Sequence, residues 1–101
     1  MIVTSLQNQR VKDVVKLRQR TQRERQGRLL IEGYRAVRRA LDNGYPLEVL
    51  FSCPGLFQGE NEPSLLDEAR GAGAELVETS EPVFRKMAYR DRPEGLLAVG
   101  P

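Results

Sequence analysis

The sequence predicts an α/β protein, a three-layer α/β/α sandwich on a mainly parallel, four-stranded sheet. Short apolar runs of strand character alternate with segments whose apolar residues recur at helical spacing. Their order is helix, then strand and helix three times over, then strand. The chain has 101 residues, 40% of them hydrophobic and 30% charged, which suits one domain around one core and not two.

The polar opening Thr4–Arg10 offers Asn8 as the N-cap of a first helix. Val11, Val14 and Val15 form its apolar stripe, while Lys12, Lys16, Arg20 and Arg23 fall together on another face at 100° per residue. Beyond Leu17 the periodicity stops. Arg18 to Gly27 is almost wholly polar and reads as a frayed helix end or a mobile basic loop.

Leu29, Leu30 and Ile31 form a continuous apolar run, the pattern of a strand covered on both faces. From Tyr34 the period becomes helical. Tyr34, Val37, Ala40 and Leu41 share one side, Arg35, Arg38 and Arg39 project from the other, and Gly33 sits at the corner. Such a corner brings unpaired backbone N–H groups to a sheet edge, a place suited to anions. A solvated arginine face is the ordinary alternative.

Asn43 or Gly44 is the left-handed cap of this helix, and Pro46 stops its continuation. The second strand is Leu47 to Cys53, followed by a loop from Pro54 to Asn61. Pro63 suits the first turn of the next helix, which buries Leu65, Leu66 and Ala69 and ends at Gly71 and Gly73. A third strand, Ala74 to Glu78, precedes Ser80-Glu81-Pro82, a cap and first turn for a short helix carrying Val83, Phe84 and Met87. Arg85, Lys86, Arg90 and Arg92 cluster around Tyr89, and Gly95 to Val99 is the last strand. Gly100-Pro101 reads as an exit linker.

Charge is segregated along the chain. Residues 1–40 hold 11 Lys/Arg against 3 Asp/Glu (+8), residues 41–84 hold 1 against 9 (−8), and residues 85–101 hold 4 against 2 (+2). That pattern suggests a basic surface aimed at a polyanion beside an acidic flank. Thirteen of the 16 cationic residues are arginine, which forks onto phosphate oxygens and stacks on bases. Tyr34 and Tyr89 stand beside arginines and could stack on an unpaired base, Tyr34 being equally a core residue by its spacing.

Other chemistries find no residues to carry them. With no histidine, the usual general base and commonest metal ligand are missing. Cys53, the single cysteine, lies in the apolar run Val49–Cys53 and reads as a small buried side chain, so no intrachain disulfide or thiolate cluster is expected. Gly71-Ala72-Gly73 follows a helix, whereas a phosphate-binding glycine loop must follow a strand. The acidic pairs Asp67/Glu68 and Glu60/Glu62 read as solvated charges. No apolar run is long enough for a bilayer and no signal peptide opens the chain, so a cytoplasmic, metal-free protein without membrane contact is expected.

Thr4-Ser5-Leu6-Gln7-Asn8 with Arg10-Val11-Lys12, then Leu30-Ile31-Glu32-Gly33 with Val37 and Ala40-Leu41, and finally Pro93-Glu94-Gly95-Leu96-Leu97-Ala98-Val99, resemble the N-terminal substrate-binding domain of SpoU-type (SPOUT superfamily, TrmH-like) RNA 2′-O-ribose methyltransferases. The resemblance covers essentially the whole chain. It implies a fold like that of the kink-turn-binding ribosomal proteins and a single RNA-gripping domain over 1–101. It also implies a catalytic knotted domain after residue 101, whose glycine- and asparagine-rich motifs do not occur here. S-adenosylmethionine is expected in that second domain and no cofactor in this one. The expected partner is RNA, ribosomal by the family's habit, and the full-length protein can be homodimeric.

Carried over by position, Glu32, Gly33 and Arg35 match the corner that meets RNA in the related ribosomal-protein fold, and the loop Tyr89–Pro93 should lie beside it. The expected RNA contacts are therefore Lys12, Lys16, Arg20, Arg23, Glu32, Gly33, Arg35, Arg38, Arg39, Tyr89, Arg90 and Arg92. Two positions depart from the family pattern. Gln9 stands where proline is frequent, and Glu94 replaces the common glutamine before Gly95, placing a charge near the RNA surface. A stand-alone RNA binder, or a protein-interaction module using the basic strip, is the competing reading.

Overall fold

The computed structural model describes residues 2–101. Five strands, β1 (Ile2–Val3), β2 (Leu29–Glu32), β3 (Val49–Ser52), β4 (Glu75–Thr79) and β5 (Leu96–Gly100), alternate with helices α1 (Gln9–Lys16), α2 (Arg20–Gln26), α3 (Tyr34–Asp42), α4 (Glu62–Gly71) and α5 (Glu81–Met87). Asn8 caps α1 as its sequence suggests, its side-chain oxygen accepting from the Arg10 and Val11 amides.

The sheet runs β1-β4-β3-β5-β2. β4 pairs in parallel with β1 and β3, whereas β5 pairs antiparallel with both β3 and β2. The expected four-stranded, mainly parallel sheet is thus a five-stranded mixed one, in which β5 alone runs backwards. The seven residues of α5 rise only about 10 Å, too little to span a five-residue strand of roughly 16 Å. After α5 the chain crosses the edge where β4 ended as Ala88–Gly95 and enters β5 from that edge. β1 escaped notice because two residues carry no period.

The basic run after α1 is also corrected, from a frayed end or mobile loop to helix α2. Arg, Gln and Glu are good helix formers, Arg20 pairs with Glu24 one turn on, and Gly27 closes the helix in the left-handed region. None of its residues is buried, so no apolar period could announce it.

Two cores flank the sheet. Val11, Val14 and Leu17 of the α1 segment and Val83, Phe84 and Met87 of α5 pack on Phe51, Val77, Leu97 and Val99. On the other face Val37 of α3 and Leu65 and Ala69 of α4 pack on Leu50, Leu96 and Ala98. Alternation along β5 sends Leu97 and Val99 one way and Leu96 and Ala98 the other, and the whole strand is buried. Cys53 is buried, and that burial pushes its thiol above the ordinary range, so it is a packing residue.

Gly95 precedes β5 at φ +81°, and a Cβ there would stand 2.5 Å from the Cys53 carbonyl oxygen. Gly95→Ala should cost more than the ~1–2 kcal/mol of a left-handed backbone alone. Gly44→Ala, at φ +71° in open space, should cost only that much. Urea midpoints of the two variants test the difference, and equal midpoints would refute the close approach.

Candidate nucleic-acid interface

Because β5 is reversed, its N-terminal end meets the C-terminal ends of the other strands at one sheet edge. The Glu32–Gly33 corner and the Ala88–Gly95 loop therefore lie side by side. Gly33 takes φ +95° and donates its amide to the Leu96 carbonyl at 3.0 Å. A Cβ at this position would meet the Arg90 guanidinium at 2.6 Å, so the glycine makes room for that arginine.

Arg90 donates to the Glu32 carbonyl at 3.2 Å and pairs with Glu94 four residues on. The other Glu94 oxygen accepts from the Tyr34 amide at 3.4 Å, in the first turn of α3. The helix start expected to offer unpaired N–H groups to an outside anion thus already holds an internal carboxylate there. Glu32 closes the network, its Oε1 accepting from the Tyr89 amide at 2.8 Å.

Tyr89 is half exposed yet fixed at both ends. Its hydroxyl donates to the Leu17 carbonyl at 3.2 Å, and the Arg18 guanidinium lies 5.3 Å from the ring centroid. Arg18 also donates to the Lys86 and Ala88 carbonyls, both at 2.6 Å. The end of α1, the end of α5 and the 88–95 loop are thereby joined around one aromatic ring. Sequence reading did not place Arg18 in the site. Its position at the end of the valine-striped helix, opening the basic run, was the available signal, but nothing local to it points to Tyr89 seventy residues on.

The structure brings together Glu32, Gly33, Arg35, Tyr89, Arg90 and, exposed on the same loop, Arg92. The remaining predicted contacts do not form one strip with them. Lys12, Lys16, Arg20 and Arg23 belong to the layer of α1, α2 and α5, and Arg38 and Arg39 to α3 on the opposite face. Arg23 is spent on the Leu17 and Arg18 carbonyls, and Arg20 on Glu24. Arg38 pairs with Asp42 one turn on in α3 and with Glu68 of α4, and these carboxylates, Asp42 first, hold its guanidinium above the ordinary value. Among the described residues, Lys12, Lys16, Arg35, Arg39 and Arg92 make no ion pair.

Three buried side-chain oxygens lack a partner among the described residues: Glu32 Oε2, Glu62 Oε1 and Thr79 Oγ1. Glu32 ends β2, Thr79 ends β4 and Glu62 opens α4, so all three gather at this same edge. Incomplete polar satisfaction concentrates where a structure awaits a ligand. Removing the Glu32 carboxylate frees the Tyr89 amide, and a hydrogen bond to a charged group contributes about 1.5–3 kcal/mol. Amide exchange at Tyr89 should accelerate about tenfold or more in Glu32→Ala while Val37, in the α3 core, keeps its protection. Unchanged exchange at Tyr89 would sink this role of Glu32.

Comparison with known proteins identifies the family and the fold. Residues 8–98 match the family model of the MRM3-like substrate binding domain. A solved RNA 2′-O ribose methyltransferase is 36% identical, with a TM-score of 0.79 over 98% of this chain and 36% of its own. An rRNA methyltransferase from Sinorhizobium meliloti is 27% identical, with a TM-score of 0.80 over 98% of this chain and 36% of its own. It has also been solved with AdoMet bound. The SpoU methyltransferase AviRb from Streptomyces viridochromogenes, at 23% identity and a TM-score of 0.72, covers 93% of this chain and 34% of its own and shares the fold. The chain spans about a third of the length of these solved proteins. None of the curated proteins matches it.

Proposed function

The chain belongs to the MRM3-like substrate-binding domain family, and from that membership we propose that it grips RNA for an enzyme that methylates ribose 2′-hydroxyls. The observation that carries the reading is the edge itself, where a pinned, half-exposed tyrosine lies 5.3 Å from the Arg18 guanidinium and shares its loop with Arg92, which makes no ion pair among the described residues. Arg35 and Arg92 take phosphates, and Tyr89 stacks an unpaired base. Within this reading the RNA is ribosomal, the full-length protein pairs with a second copy, and it acts in the cytoplasm. Among the described residues no helix is long and apolar enough to cross a membrane.

The methyl donor belongs to a knotted domain outside residues 1–101. The residues here do not fit it. The larger groove among them, about 350 Å³, lies at the opposite sheet edge and is lined by the ion pairs Arg10–Glu75 and Arg28–Glu48, with no glycine loop to cradle an adenosyl group. What this chain contributes to methyl transfer is the positioning of the substrate.

A titration of a structured ribosomal RNA fragment over a salt series tests the proposal. Affinity should fall as salt rises, and Arg35→Glu and Arg92→Glu should each flatten the slope by roughly 0.7–0.9 for every phosphate the variant no longer neutralises. Arg70→Glu, which breaks an exposed pair with Asp67 on α4, should leave it unchanged. Salt-independent binding, or equal effects from all three variants, would overturn the phosphate-contact model.

A further inference from the structure

Resting on the RNA reading, we infer that the recess between α3, α4 and the 57–61 turn is a pocket for one extruded nucleobase bearing an exocyclic amino group, read by Glu62. The recess has a volume of about 230 Å³ and opens beside the edge described above, sharing Glu94 with it. Drug-sized clefts run roughly 300–1,000 Å³, and a single flat base is smaller than the ligands they hold. Tyr34 supplies an aromatic wall, Gln58 and Asn61 supply amides, and exposed Arg35 stands at the mouth where the nucleotide's phosphate would lie.

Glu62 gives the pocket its chemistry. The residue is only 4% exposed. Its Oε2 accepts from the Gln58 and Gly59 amides, at 3.2 and 3.0 Å, while Oε1 is buried without a partner. A carboxylate oxygen has no proton to give and is costly to leave unbonded in an interior, so this atom is an acceptor awaiting a donor. Oε1 is closed to solvent as it stands, so in this proposal the exposed Gln58–Asn61 turn, bonded to Oε2 through two amides, moves aside as the base enters.

An exocyclic amine, as on adenine or cytosine, offers the N–H this oxygen lacks. Uracil offers only N3–H, flanked by two carbonyl oxygens that repel a carboxylate. The pocket therefore selects a base with an exocyclic amine, adenine, cytosine or guanine, over uracil at one position, adding a sequence preference to an edge whose other contacts go to phosphates and base faces.

The test is a fluorescence titration of the 101-residue chain with fluorophore-labelled oligo(A), oligo(C) and oligo(U) of equal length at one low salt concentration. The unaltered protein should bind oligo(A) and oligo(C) about tenfold tighter than oligo(U), the lower end of discrimination by one good base contact. Glu62→Gln keeps an oxygen for the two turn amides and puts an NH₂ group where Oε1 was. Its preference should collapse or reverse toward uracil, whose carbonyls can now accept. A merely structural Glu62 would weaken all three alike. Equal, salt-sensitive binding of the three by the unaltered protein would overturn the pocket and leave the RNA reading standing. Binding of none would overturn both. Retained preference in Glu62→Gln would assign the selectivity elsewhere and overturn the role of Glu62.

Discussion

The reversal of β5 is the constraint on which the rest depends. Lying between β3 and β2 and buried along its whole length, it holds the two cores on one sheet. Its direction decides which loops meet. Had the chain after α5 returned to the far edge, β5 would have run parallel and the Ala88–Gly95 loop would have opened at the opposite end of the molecule. Arg90 could then not reach the Glu32 carbonyl, nor the Tyr89 amide the Glu32 side chain. The direction of one strand thus assembles the edge that carries the candidate site.

That edge is rigid through polar contacts rather than apolar burial. Glu32, Arg90 and Glu94 bind one another's backbone and side chains, and Arg18 fastens the loop from the other side. An aromatic ring held at its hydroxyl and its amide loses little freedom when a base settles on it, so more of the stacking energy appears as affinity. The internal carboxylate of Glu94 at the start of α3 has a further effect. It neutralises Arg90 and takes up an amide, leaving Arg35 and Arg92, which no carboxylate engages among the described residues, as the cations of the proposed phosphate contact.

Much of the fold was legible because its elements bury one face. The valine stripe of α1, the Tyr34/Val37/Ala40/Leu41 side of α3 and the Val83/Phe84/Met87 side of α5 all pack where their spacing places them. What escaped had no such face: α2 buries nothing and β1 is too short for a period. Strand direction escaped for a different reason. It depends on which edge the segment after α5 reaches before it re-enters the sheet, a tertiary quantity absent from local pattern. The adjacency of the Gly33 corner and the 89–93 loop was expected from parallel strand ends, yet it arises because β5 is antiparallel. Within the site, Glu32, Gly33, Tyr89 and Arg90 could be found by resemblance, whereas Arg18 and Glu62 act through partners distant in the chain or through a buried orphan oxygen.

The opposed +8 and −8 segments are partly reconciled by folding, and where they are reconciled matters more than how many pairs form. Arg10 meets Glu75 and Arg28 meets Glu48 at the edge opposite the candidate site, and Arg38 meets Glu68 along the helical face. Exposed pairs of this kind contribute little to stability. Their consequence is spatial, because each pairs one cation on the far side or flank, while Arg35 and Arg92 pair with no carboxylate among the described residues. Glu32, Glu62, Asp91 and Glu94 stand at or beside the same edge, so its positive charge is local to these two arginines and not spread over the whole edge. Charge of this kind acts on an approaching polyanion within about 10 Å at 0.1 M salt. A chain of net charge +2 can in this way offer two unpaired arginines to a phosphate backbone without the indiscriminate adhesion of a uniformly basic surface.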